Sequence, residues 1–196
     1  ANNQIYIKQT KDLFLDNKLV DVKKNKELIQ LFKASIFCNN SRVEFVKGEY
    51  NPIGDPTEGT LMLNALDFGL NKKSLAQKEP RIEELEFDSK RKMMSVLRNS
   101  GINNTLYSKG ASEKILDLCA SELINGEIRK ITEERRKQLI EKSRKMESEA
   151  LRVLAFAYKN FSKKEKAEEN GLIFLGLIGM IDPPRPEVKK AIQECK

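Results

Sequence analysis

Apolar and polar positions along this chain follow two periods, and the points where one gives way to the other mark its elements. Between Lys26 and Cys38 apolar residues fall at Leu28, Leu31, Phe32 and Ile36, with Ser35 beside them, which is the spacing of one helix face. The polar run Asn39, Asn40, Ser41 stops that helix. Val43 to Gly54 reads as a hairpin turning at Lys47-Gly48, and Asp55-Pro56-Thr57-Glu58 then forms a helix start. Asp55 is placed as the N-cap, Pro56 at the first helical position where its missing N–H costs nothing, and Glu58 at the third, where a carboxylate suits the dipole and completes a capping box. Leu61, Ala65 and Phe68 form the buried stripe of this helix, and Gly69 its C-cap.

Strands are read at the start of the chain and again through its second half. Ala1 to Thr10 alternates at Ile5 and Ile7, a strand that begins without a cap and reads as a cut end. Thr105 to Ser108 is expected to pair antiparallel with the strand before it, across the polar loop Asn99 to Asn104. Lys109-Gly110 then ends a strand at the rim of the sheet and leads into a helix through Ile115, Leu116 and Cys119. Asn125-Gly126 predicts a hairpin turn. Thr132 caps a long charged helix, Glu133 to about Glu149, whose apolar face is thin (Leu139, Ser143, Met146, Ala150). Leu151 to Tyr158 and Leu172 to Ile181 are strongly apolar strands around a Lys/Glu-rich linker. Asp182-Pro183-Pro184-Arg185-Pro186 cannot continue a sheet and predicts a boundary or hinge, with a short helix from Pro186 to Cys195.

One stretch fits neither period. Glu86 to Leu97 starts as an apolar strand, passes through Lys90, Arg91 and Lys92, and returns to Met93, Met94, Val96 and Leu97. A core strand alternates or stays apolar, so a cationic run beside Phe87 has two readings. One is a surface that receives something flat and negatively charged, such as a nucleotide. The other is a solvated turn between two strands, with Phe87 in the core.

Composition narrows the chemistry mainly by exclusion. The 196 residues suffice for one sizeable domain or a domain plus part of another. A net charge of +7 favours anionic partners and leaves nucleic acid, phosphate esters and acidic membranes open. The absence of histidine excludes Ser-His-Asp and Cys-His sites and imidazole-ligated zinc. Cys38, Cys119 and Cys195 are dispersed and odd in number, which supports neither a disulfide framework nor a metal cluster and fits incidental thiols in a reducing compartment. No apolar run approaches a membrane span and the N-terminus lacks a signal-peptide pattern, so the chain is expected to be soluble as given. Neither Gly-x-x-x-x-Gly-Lys-Ser/Thr nor Gly-x-Gly-x-x-Gly is present, so a bound nucleotide must be held mainly by side chains. Phe87 offers a stacking face, Glu58 an acceptor for an exocyclic amine, and Lys92, Lys109 and Arg152 cations for phosphates. Spacing alone does not bring them together.

Five segments in order add a resemblance. Asp55-Pro56-Thr57-Glu58-Gly59, Phe87-Asp88-Ser89-Lys90-Arg91-Lys92-Met93-Met94-Ser95-Val96, Lys109-Gly110-Ala111-Ser112-Glu113-Lys114-Ile115-Leu116, Arg152-Val153-Leu154-Ala155-Phe156-Ala157 and Asp182-Pro183-Pro184-Arg185-Pro186-Glu187-Val188 resemble the ordered motifs of P-type ATPases. Their wording is most similar to the calcium-transporting pumps; sodium, magnesium and proton pumps stay open.

The resemblance implies an α+β nucleotide-binding (N) domain over residues 1–181, an antiparallel β-sheet flanked by helices, with residues 182–196 as hinge and start of a truncated phosphorylation (P) domain. It implies that Phe87 stacks on adenine, Glu58 lies near its amino group, Lys92 and Lys109 line the pocket, and Arg152 meets the phosphates with Leu154 packed nearby. Asp55, Thr57, Ser89, Gly110 and Ala111 are secondary positions, and Asp182, Pro183, Pro184 and Arg185 form the hinge. The implied ligand is ATP. Mg2+ would be held mainly by the P domain of the intact enzyme, with no metal ligand here. The implied partners are the P and actuator domains and membrane helices of one parent chain on the cytoplasmic side of a membrane, and the fragment itself is expected to be monomeric. The family's phosphorylated aspartate segment, Asp-Lys-Thr-Gly-Thr-Leu-Thr, and its Gly-Asp-Gly motif are absent, so the chain resembles an excised domain with no catalytic residue of its own, expected not to hydrolyse ATP. Ser89 stands where many calcium pumps carry arginine, and Lys90 or Arg91 is the neighbour placed to compensate. A competing reading, a basic nucleic-acid-binding module using Lys90-Arg91-Lys92, predicts steeply salt-dependent binding. The basic residues lie on helices also rich in glutamate, with no arginine–aromatic repeat, which weighs against it.

Overall fold

Strand alternation divides the side chains of the main sheet between two cores, one on each face. The computed structural model describes residues 6–9 and 11–181. The chain opens with β1 (Tyr6–Gln9), β2 (Asp12–Leu15) and β3 (Lys18–Leu19), a small antiparallel sheet, and continues into α1 (Lys26–Phe37). Asn25 caps α1, its side chain accepting from the N–H groups of Glu27 and Leu28. The hairpin β4 (Arg42–Val46) and β5 (Glu49–Ile53) then leads to α2 (Pro56–Asp67) and α3 (Lys72–Lys78). The rest of the order is β6 (Arg81–Asp88), β7 (Met93–Asn99), β8 (Asn104–Gly110), α4 (Ser112–Leu118), β9 (Cys119–Ile124), β10 (Glu127–Lys130), α5 (Glu133–Ser148), β11 (Leu151–Phe161) and β12 (Leu172–Ile181).

The seven-stranded sheet runs β10-β9-β12-β11-β8-β7-β6. Its neighbours are antiparallel apart from β12 and β9, which pair in parallel. Tight polar turns explain the hairpins. Asn125 and Gly126 both take positive φ, as a two-residue turn between right-twisted strands requires. On one face Met94, Val96, Tyr107 and Phe156 pack with Ile36 and Phe37 of α1 and Leu61, Met62 and Ala65 of α2. On the other, Met93, Leu97, Leu106, Ala155 and Ala157 pack with Ile115 and Leu116 of α4 and Leu139 of α5. Burying each large side chain here contributes roughly 1.5–3 kcal/mol. The mixed helix-and-sheet fold thus follows the sequence reading, and α5 has the thin face expected of it, with Leu139 and Ser143 its buried residues. Cys38 and Cys119 are buried thiols, and burial pushes both up to about 12.

The structure decides between the two readings of one stretch and corrects the placement of one lysine. The stretch Glu86 to Leu97 is two strands joined by a turn: the Asp88 carboxylate accepts from the N–H groups of Lys90 (2.7 Å) and Arg91 (3.0 Å), and Lys92 closes the turn at φ 53°. The cations are consecutive because they lie in a tight turn, which leaves Lys90 and Lys92 exposed and Arg91 partly buried. Phe87 is not a core residue, being 64% exposed. Lys109 is not at the rim: it lies inside β8 and is 7% exposed. The predicted hinge Asp182, Pro183, Pro184, Arg185 and the helix from Pro186 lie outside the described residues.

Candidate functional site

The site begins at the N-terminus of α2. Asp55 caps it by accepting from the Glu58 N–H at 2.9 Å. The return half of the expected capping box is replaced by a longer connection. One carboxylate oxygen of Glu58 accepts from the Asn40 N–H (2.8 Å) and the Ser41 N–H (3.1 Å). The other accepts from Lys109 Nζ at 2.8 Å. Burial alone would raise the Glu58 carboxyl; the hydrogen bond and charge of Lys109 and the two amides outweigh it and hold the group below its ordinary value.

Strand register supplies the next component. Lys109 pairs with Met94 on β7 and with Phe156 on β11, so one row crosses the sheet at the level of Glu58. On β6, Leu85 pairs with Ser95 and Asp88 with Met93, which sets two residues, Glu86 and Phe87, against the single residue Met94. This is a β-bulge, a device that re-aims a side chain at a sheet edge. Phe87 therefore stands exposed on the edge strand, two strand spacings, about 10 Å, from the Lys109 position.

The turn carrying Lys92 is fastened to the end of β8. The Ala111 N–H donates to the Lys92 carbonyl at 2.9 Å. A Cβ at position 110 would stand 2.5 Å from that carbonyl oxygen and 2.5 Å from Met93 Cβ, so Gly110 is needed for the approach. Gly110 and Ala111 thus set where Lys92, itself exposed, begins.

Arg152 lies at the start of β11, past the end of β8, and donates from its guanidinium to the Thr57 hydroxyl at 2.7 Å. It is thereby set beside Glu58 at the mouth of α2. Leu154 is half-buried and packs against the core beneath α1 and α2. The structure joins Glu58 with Lys109 and Thr57 with Arg152. Ser89 and Lys90 are exposed. Arg91 is engaged by Glu169 at 2.5 Å and by the Glu86 carbonyl at 2.6 Å, which breaks up the basic run as a free cationic stripe.

Sequence reasoning took Asn39, Asn40 and Ser41 only as a helix stop. They are the loop that grips Glu58: besides the two amides, Asn39 Nδ2 donates to the Glu58 carbonyl at 2.8 Å. A cluster of small polar residues facing a helix N-terminus was the available signal. Helix α3, also unforeseen, brings Lys72 to the same loop, where Nζ donates to the carbonyls of Asn39 (2.5 Å) and Ser41 (2.9 Å).

With this geometry in view, likeness to known proteins is informative. Residues 27–187 match the family described as P-type ATPase, cytoplasmic domain N. The chain is 42% identical over 170 residues to Calcium-transporting ATPase 1 of Bacillus cereus, covering 85% of this chain and 19% of that protein. It is 37% identical over 187 residues to Calcium-transporting ATPase of Bacillus subtilis, covering 93% and 21% respectively. Cation-transporting ATPase pma1 of Synechocystis is 38% identical over 168 residues, covering 83% and 18%. The chain spans 19% and 21% of the length of the two calcium-transporting relatives, about a fifth. Among the described residues no helix is long and apolar enough to cross a membrane. Taken together, the match over most of the chain and the mixed sheet with helices on both faces make this chain a member of the P-type ATPase cytoplasmic N-domain family.

Proposed function

We propose that the face formed by Phe87, Lys92, Lys109, Glu58 and Arg152 binds ATP and presents its γ-phosphate to an aspartate on a separate phosphorylation domain of a cation pump. The observation that carries this reading is Phe87. A phenylalanine left 64% exposed contributes little to the fold, yet a bulge re-aims it on the sheet edge near the only row in which β8 carries a buried lysine. Adenine stacks on that ring, an interaction worth about 1–3 kcal/mol. Lys109 and Lys92 line the pocket, Glu58 lies on the side of the adenine amino group, and Arg152 meets the phosphates. Each charge-assisted hydrogen bond adds roughly 1.5–3 kcal/mol. After the loss of rigid-body freedom, an open face of this kind corresponds to a Kd of about 0.1–1 mM.

The domain's contribution to phosphoryl transfer is positional: it holds the nucleotide in a geometry the partner domain uses. In the intact enzyme Mg2+ would be held mainly by the phosphorylation domain together with the ATP phosphates, where it would neutralise charge on the transferring group. Residues 1–181 are the nucleotide-binding part and 182–196 the passage toward the phosphorylation domain, on the cytoplasmic side of a membrane pump. The names of the relatives favour calcium as the transported ion; the similarity to a protein named only for cation transport supports a pump for another cation as the second reading.

Titration of ATP into the chain, followed by backbone amide shifts, tests the site. Perturbations centred on Phe87, Lys92, Gly110, Thr57 and Arg152 are expected. Shifts that leave Phe87, Glu58 and Lys109 unperturbed would refute it.

A further inference from the structure

Helix α3 has no fully buried residue, and Leu75, partly buried, packs against the core. What it delivers is Lys72, at its first position. A cation there opposes the helix dipole, and it is set among other cations: Arg81 of β6, Arg98 of β7 and Lys109 of β8, with Glu58 of α2 as the opposing charge. Placing an ammonium in that company is costly, and the return is its pair of hydrogen bonds to the Asn39 and Ser41 carbonyls at 2.5 and 2.9 Å. The same three-residue loop turns its amides toward Glu58, at 2.8 Å from Asn40 and 3.1 Å from Ser41. Glu58 in turn holds Lys109 at 2.8 Å. Other contacts tighten the loop: the Asn39 side chain accepts from the Ser41 N–H at 2.9 Å, and Asn40 donates to Glu84 at 2.7 Å.

We infer that Lys72 is a positioning residue of the nucleotide site, clamping the Asn39–Ser41 loop so that Glu58 and Lys109 are held in their binding geometry. The inference rests on the nucleotide-site reading given above. Lys72 touches no ligand: it acts through two carbonyls, a loop and a carboxylate. Burial, then the charge of Arg81, lower the Lys72 amine to about 8, with Glu58 opposing and Arg98 and Lys109 adding to the shift. The brace is therefore mostly charged at neutral pH and loses its charge as pH rises through that value.

The test is ADP affinity by calorimetry on the wild-type chain and on Lys72→Met, Lys72→Arg and Phe87→Ala, from about pH 7 to about pH 9.5. Wild-type affinity is expected to fall about threefold or more across this range, centred near the Lys72 value. Lys72→Met is expected to bind about three- to tenfold more weakly at neutral pH, the reduction in the population of the competent loop, and to show no inflection. Lys72→Arg keeps the charge and restores neutral-pH affinity with the inflection gone. A flat wild-type profile, an inflection persisting in Lys72→Arg, or Lys72→Met binding within about twofold of wild type overturns the inference. The wild-type profile decides even if Lys72→Met does not fold. Phe87→Ala separates the two levels: wild-type affinity in that variant sinks the site reading itself, whereas a weakened Phe87→Ala beside an unaffected Lys72→Met sinks only the role of Lys72.

Discussion

Replacing Lys109 by methionine probes the connection between the sheet and the start of α2. The Lys109 and Glu58 side chains are 8% and 17% exposed and meet at 2.8 Å. Removing one partner of a buried pair costs about 3–5 kcal/mol when the other is left uncompensated. Glu58 retains the Asn40 and Ser41 amides, which places the loss for Lys109→Met lower, at about 2–3 kcal/mol. For a chain of this size that lowers Tm by about 4–12 °C. The pH dependence follows from Glu58. Its folded carboxyl titrates below its ordinary value of 4.5, so its stabilising contribution is fully present above that value and is lost as pH falls through the folded value. A protonated Glu58 needs no cation, so the gap between wild type and Lys109→Met is largest at neutral pH and narrows on acidification below 4.5. Urea unfolding of wild type, Lys109→Met, Glu58→Gln and the double variant measures the coupling, expected at about 1–2 kcal/mol. Additivity within about 0.5 kcal/mol at neutral pH, or a gap that does not change with pH, would refute the reasoning.

Two further substitutions test how the site is fastened. Gly110→Ala forces a Cβ to within 2.5 Å of the Lys92 carbonyl and Met93, so the turn must shift; a loss of about 1–3 kcal/mol in urea unfolding is expected, together with displaced amide signals for Lys92 and Ala111. Asp55→Ala removes the acceptor for the Glu58 N–H, an N-cap loss of about 1 kcal/mol by thermal unfolding, and loosens Glu58.

The elements whose signal is local were legible in the sequence. The α2 start was written in Asp55, Pro56 and Glu58, the β4–β5 and β9–β10 turns in Lys47-Gly48 and Asn125-Gly126, and α5 in its cap at Thr132. Helix α3 was not, because Lys72–Lys78 has no buried stripe and leaves no apolar period to read. Nor was the parallel pairing of β9 with β12, a tertiary choice that leaves no local mark. The candidate site divides the same way. Residue types named Phe87, Lys92, Lys109, Glu58 and Arg152, but the Glu58–Lys109 pair spans 51 positions and Arg152–Thr57 spans 95, so only the folded sheet joins them. The exposure of Phe87 depends on a single extra residue in β6, which a hydrophobicity pattern does not distinguish from a core aromatic.

Phe87→Ala tests the central claim most directly, because the ring is 64% exposed and its removal separates folding from binding. Thermal or urea unfolding should change by no more than about 0.5 kcal/mol. ATP affinity measured by calorimetry on the same sample should fall by about 1–3 kcal/mol, roughly five- to 150-fold. Unchanged ATP affinity in a fully folded Phe87→Ala would contradict the account.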